Sequence, residues 1–95
     1  MIKFQWNKQK ADANKKKHGV SFDEAATVFH DLNGRILSDS DHSTGEDRFI
    51  LLGVSIKLRM IVVAHTYRED HEEIRIISAR KATRQEKSQY EGLKS

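Results

Sequence analysis

Arg48-Phe49-Ile50-Leu51-Leu52-Gly53-Val54 and Leu58-Arg59-Met60-Ile61-Val62-Val63-Ala64-His65-Thr66-Tyr67 are two apolar runs separated only by Ser55-Ile56-Lys57. Segments so rich in Ile, Leu and Val predict strands, and so short a connection predicts that they fold back as an antiparallel hairpin. Strand alternation places Leu58, Met60, Val62, Ala64 and Thr66 on one face and Arg59, Ile61, Val63, His65 and Tyr67 on the other. Taking the first set as the face that helices cover points His65 and Tyr67 toward an open side.

Working outward, a polar turn at 68–72 leads into a further strand over about 73–80. Thr83-Arg84-Gln85-Glu86 then reads as a capping box that opens a final helix of two to three turns. Upstream, Asn33-Gly34 marks a turn before a short strand over 35–38, and residues 39–47 form a polar, acidic loop. Ile2 to Trp6 alternates as a strand, and Asn7 can cap a lysine-rich helix over about 8–17 that ends at Gly19. Ser21-Phe22-Asp23-Glu24 opens a second helix with Phe22, Ala25, Ala26 and Phe29 on one stripe. The order β-α-α-β-β-β-β-α predicts an α+β protein, a small twisted antiparallel sheet with two N-terminal helices and a short C-terminal helix packed on one face.

The 95 residues suffice for a single domain spanning 1–95, with 37% hydrophobic and 33% charged side chains. No cysteine is present, which excludes disulfides, thiolate zinc sites and thiol nucleophiles and fits a reducing cytoplasm. Neither end resembles a signal peptide, and the longest apolar run, Met60 to Ala64, is far too short to cross a bilayer, so a cytoplasmic protein is expected. The net charge of +3 is unevenly distributed. Residues 1–20 carry +5, residues 21–47 carry −6 and residues 48–95 carry +4. Two basic thirds around an acidic middle suit a polyanion on one side and a basic partner on another, although charges also simply solvate a small protein.

The chemistry concentrates where the last strand meets the last helix. Arg75, Arg80, Lys81 and Arg84 lie within one strand and one helical turn, near backbone N–H groups that suit phosphate. Five positions separate Arg75 from Arg80, so the two cannot share a face unless a bulge intervenes, and Arg80 is the first choice for phosphate. Among groups able to move protons are His65, Tyr67, His18, His42 and Tyr90, each positioned acid or base contributing about 10²–10⁴ in rate. Plainer roles stand beside these. His18 can complement a helix dipole, Tyr90 can close the core, Trp6 can anchor it, and the Lys8–Lys17 run can be a solvated face. The acidic loop fails as a calcium site because its glycine falls one position late and Ile50 stands where a bidentate Glu is required. No metal and no cofactor are expected.

Several motifs in collinear order resemble the BrnT family: Phe4-x-Trp6 with Lys10, Lys17-His18-Gly19-Val20-Ser21-Phe22-x-Glu24-Ala25, Val28-Phe29-x-Asp31, Glu46-x-Arg48-Phe49, and Ile74 through Thr83. That resemblance implies a RelE-like fold and the toxin half of a bacterial type II toxin-antitoxin pair that cleaves RNA, expected to be mRNA. It also implies neutralisation by a BrnA-like antitoxin, a small ribbon-helix-helix protein through which the complex reaches operator DNA. Metal-free attack by the ribose 2′-OH would use Arg80, His65, Tyr67, Arg68 and Arg75. Arg84, Lys81, Lys17, His18 and Tyr90 would contact RNA. The competing readings are a non-catalytic nucleic-acid-binding module and a scaffold for a folded partner.

Overall fold

The computed structural model describes residues 2–38, 48–68 and 72–94. Along the chain run β1 (Lys3–Gln5), α1 (Lys8–His18), α2 (Phe22–Thr27), a 3₁₀ turn (Val28–His30), β2 (Arg35–Ser38), β3 (Phe49–Val54), β4 (Met60–Arg68), β5 (Glu73–Lys81) and α3 (Arg84–Lys94). The strands form one sheet in the order β1-β5-β4-β3-β2. Every pairing is antiparallel except β1 with β5, so the sheet is mixed. That parallel edge follows from chain order, because α1, α2 and three strands separate β1 from the strand it joins.

Local signals set the helix ends. Asn7 Oδ1 accepts from Lys10 N–H (3.0 Å), and Gly19 closes α1 at φ 70°, a conformation glycine adopts without strain. At α3 the capping box is reciprocal. Thr83 Oγ1 accepts from Glu86 N–H (3.2 Å), while Glu86 Oε1 accepts from Thr83 N–H (2.8 Å). At α2 only half forms, Ser21 Oγ accepting from Glu24 N–H (3.0 Å), because the Glu24 carboxylate turns inward to Ser55 and Arg59.

The larger core lies on the face of the sheet covered by α1 and α2. Leu51, Ile61, Val63, Ile76 and Ala79 pack there against Val20, Phe22, Ala25 and Val28. Alternation along β4 is as expected, but the faces are exchanged. The set with Ile61, Val63 and His65 lies under α1 and α2, and Val62 belongs to the opposite face. There Leu52, Val62, Ala82 and Tyr90 form a second cluster beneath α3. The helices are therefore divided between the two faces. Sequence patterning could not choose between them, because both sets on β4 are mostly apolar and each meets a different helix layer.

One buried polar residue fastens α1 to the sheet. Beyond Gln5 the outer edge of β5 has no strand partner, and the Asn14 side chain takes that place. Its amide donates to Ala79 O (2.8 Å) and Val20 O (2.9 Å) and accepts from Ala79 N–H (3.1 Å). A side-chain amide thus completes a backbone pair that burial would otherwise leave unsatisfied.

Candidate active site

The pairing of β4 with β5 contains a bulge. Ala64 pairs with Ser78 and His65 with Ile76, leaving Ile77 as the extra residue. An extra residue reverses the alternation of β5 beyond it, so Arg75 and Arg80 fall on the same face despite their five-position separation. Arg80 pairs with Val62 and Arg75 with Thr66, both on the face opposite α1 and α2. α3 covers the Val62 end of that face, and Thr66 and Arg75 lie toward the other end.

That end of the face is polar. Glu73 lies in register with Arg68 on one side and Lys3 on the other, and Arg75 lies between Thr66 and Gln5. Residues two apart on a strand share a face, so Arg68, Glu73, Arg75 and Lys3 form one patch of three cations around a carboxylate. The Arg75 guanidinium is half-buried and enters no ion pair among the described residues. Across from it Thr66 is buried, and its hydroxyl has no hydrogen-bond partner. From the sequence Glu73 reads only as a neighbour of Arg75 in a cross-strand structural pair.

Arg80 is engaged differently. Its guanidinium donates two parallel hydrogen bonds to Glu86, at 2.8 and 2.9 Å, and holds that carboxyl at a pKa of about 2. The pair fastens β5 to the first turn of α3. Among the described residues Arg80 has a carboxylate partner, and Arg75 has none.

His65 and Tyr67 do not face the open side. His65 is completely buried on the α1–α2 face, its ring 4.8 Å from that of Phe29 and 5.1 Å from that of Tyr67. Its Nδ1 lies 3.2 Å from Val63 O and its Nε2 lies 3.3 Å from the Tyr67 hydroxyl. A carbonyl only accepts, so Nδ1 carries the proton, and Nε2 accepts from Tyr67. Burial pushes the imidazole below its ordinary pKa and the half-buried Tyr67 phenol above its own. The unfolded chain then takes up this proton near pH 6.5 and the folded chain only at lower pH, so stability falls as pH drops from about 6.5. Thermal unfolding at pH 7 and pH 5 should show a lower midpoint at pH 5, with much of that difference gone in His65→Phe.

Tyr90 is 4% exposed and donates to Asp31 Oδ2 (2.7 Å), with its phenol raised to about 12 mainly by burial. It closes the core and is not presented to a ligand. Lys17 and His18 occupy the last turn of α1, next to Gly19, whose carbonyl accepts from Arg59. That is the hairpin end of the sheet, so they do not join Arg68 and Arg75. Lys81 and Arg84 are exposed on either side of the junction between β5 and α3. His42 and the acidic loop lie outside the described residues. Among the described residues no three His, Asp or Glu side chains cluster to hold a metal ion, and no helix is long and apolar enough to cross a membrane.

Fold and patch together define a small α+β protein with a cationic sheet face suited to a phosphodiester. The family model described as the ribonuclease toxin BrnT of type II toxin-antitoxin systems matches residues 6–86, and the chain belongs to that family. Among solved structures it is similar to the crystal structure of the Brucella abortus ribonuclease toxin BrnT. The TM-score is 0.67 at 22% identity, over 88% of this chain and 100% of that one, a likeness of fold. No curated protein matches the sequence.

Proposed function

We propose that this chain is an endoribonuclease that cleaves mRNA without a metal ion, acting as a single domain over residues 1–95 in the cytoplasm. A BrnA-like ribbon-helix-helix antitoxin neutralises it and carries the complex to operator DNA. The observation that carries the catalytic reading is the patch of Arg75, Arg68 and Glu73 on one face of the sheet. In this reading Glu73 takes the 2′-OH proton as the 2′-oxygen bonds to phosphorus. The P–O5′ bond then breaks, and the departing oxygen takes up a proton, giving a 2′,3′-cyclic phosphate and a 5′-hydroxyl end. Arg75 and Arg68 stabilise the charge that grows on the phosphoryl oxygens, a role suited to permanently charged, planar guanidinium groups.

Arg84 and Lys81 guide the flanking backbone, Arg80 positions α3, and the His65–Tyr67 pair buttresses the sheet. Lys17 and His18 lie too far along the sheet to serve the same phosphate. The test is cleavage of single-stranded RNA in EDTA with end-group analysis. Wild type should release cyclic phosphate ends, and Glu73→Gln should slow cleavage by about 10²–10⁴ with folding and RNA affinity retained. Binding without products would instead make the chain a nucleic-acid-binding module.

A further inference from the structure

The turn joining β3 to β4 breaks two rules at one residue. Leu58 adopts φ 61°, the only positive φ outside glycine among the described residues, and it is 86% exposed. Hairpin loops of this length favour glycine or asparagine at such a position, because a Cβ there is strained. An exposed leucine therefore costs the fold backbone strain and solvent-facing apolar surface together. Two residues earlier Ile56 is 76% exposed.

The turn is nevertheless held firmly. Ser55 N–H donates to Arg59 O (2.9 Å), and Leu58 N–H donates to Ser55 O (2.8 Å). Ser55 Oγ donates to Glu24 (2.7 Å), Arg59 forms an ion pair with the same carboxylate, and Ile56 N–H donates to Thr27 Oγ1 (3.0 Å). These bonds clamp the turn to α2, so both aliphatic side chains are displayed from a fixed backbone. Beside Leu58 a cleft of about 430 Å³ is lined by Val54, Met60, Arg59, Lys81 and Lys87. A strained, rigid and exposed apolar residue next to an apolar cleft rimmed by cations matches a ligand surface, not a solvated turn.

We infer that Leu58 and Ile56 form the docking point of the protein antitoxin, and that the cleft rimmed by Lys81 and Lys87 receives an antitoxin segment with aliphatic and acidic side chains. Aliphatic knobs favour such a segment over RNA, whose bases stack on aromatic rings and guanidinium planes. The site lies at the opposite end of β4 from Arg68, roughly 30 Å away at the usual rise of a strand. It rests on the chain being a toxin with a protein antitoxin, and not on the cleavage chemistry.

Leu58→Gly tests this cleanly, because it removes the side chain and relieves the backbone. The full-length chain is titrated calorimetrically with the protein encoded by the adjoining reading frame. Leu58→Gly and Ile56→Ser should each bind at least tenfold more weakly, with an unchanged or higher thermal midpoint for Leu58→Gly. Lys87→Glu should also weaken binding, most at low salt. Affinity within twofold of wild type in both aliphatic variants would overturn the inference, as would wild type that fails to bind that protein. It would also be overturned if Leu58→Gly lost affinity for a single-stranded oligoribonucleotide while keeping the protein, which would make the turn an RNA subsite. If wild type cleaves no RNA but Leu58→Gly still loses the protein, the docking surface stands and the nuclease reading alone fails.

Discussion

Arg75→Ala should lower the rate of RNA cleavage by about 10²–10³, the usual effect of removing one preorganised donor from a developing oxyanion, while leaving the thermal midpoint nearly unchanged. The Ile77 bulge sets this role. It brings half-buried Arg75 onto the face it shares with Arg68, where no described carboxylate pairs with its guanidinium, so its charge is available to a phosphate. Arg80→Ala should behave differently. Arg80 shares two hydrogen bonds with Glu86 on a partly exposed surface, and such a pair contributes only about 1 kcal/mol. Its loss should loosen α3 and lower the midpoint modestly, with a smaller fall in cleavage than Arg75→Ala. Single-turnover rates for the two variants, beside their melting curves, separate these roles. A larger loss of cleavage in Arg80→Ala than in Arg75→Ala would reverse the assignment.

The contrast between these arginines marks where the sequence stops being readable. Element order, capping residues and strand alternation depend on neighbours in the chain, and the order β-α-α-β-β-β-β-α is what the structure contains. Features that depend on pairing across the chain were not legible. The bulge exists only between β4 and β5, so nothing within Ile74–Arg80 announces that Ile77 is the extra residue. The same holds for the parallel contact of β1 with β5 and for Asn14, which reads as one more polar position on a lysine-rich helix until the free edge of β5 is beside it. Nor does the sequence assign His65 a face, because both faces of β4 are apolar enough for a core and both are partly covered. Glu24 and Asp31 were visible as parts of family motifs, but their work is structural: Glu24 clamps the β3–β4 turn, and Asp31 ties three elements together.

Asp31 should therefore be the most damaging of the polar substitutions for folding. Its Oδ1 accepts from Asn33 N–H (2.9 Å), and its Oδ2 accepts from Val54 N–H (2.8 Å) and the Tyr90 hydroxyl (2.7 Å). One carboxylate thus joins the turn before β2, the end of β3 and the helix α3. It does so against Gly53, where a Cβ would come within 2.9 Å of Val28 and 3.1 Å of Asp31 itself, so the close approach requires glycine. Asp31→Ala leaves the Val54 N–H and the buried Tyr90 hydroxyl without this acceptor. At about 1–3 kcal/mol for each of the two stranded donors, the expected loss is about 2–6 kcal/mol. Tyr90→Phe removes a donor and leaves the carboxylate its backbone partners, so it should cost only about 1–2 kcal/mol. Denaturant unfolding of both variants checks this ratio. The same pair decides the role of Tyr90: if its hydroxyl only seals α3 to the sheet, Tyr90→Phe cleaves RNA at nearly the wild-type rate at temperatures where it is folded. A drop of tenfold or more in a folded Tyr90→Phe would require the hydroxyl to leave Asp31 and reach substrate, which its burial under α3 opposes.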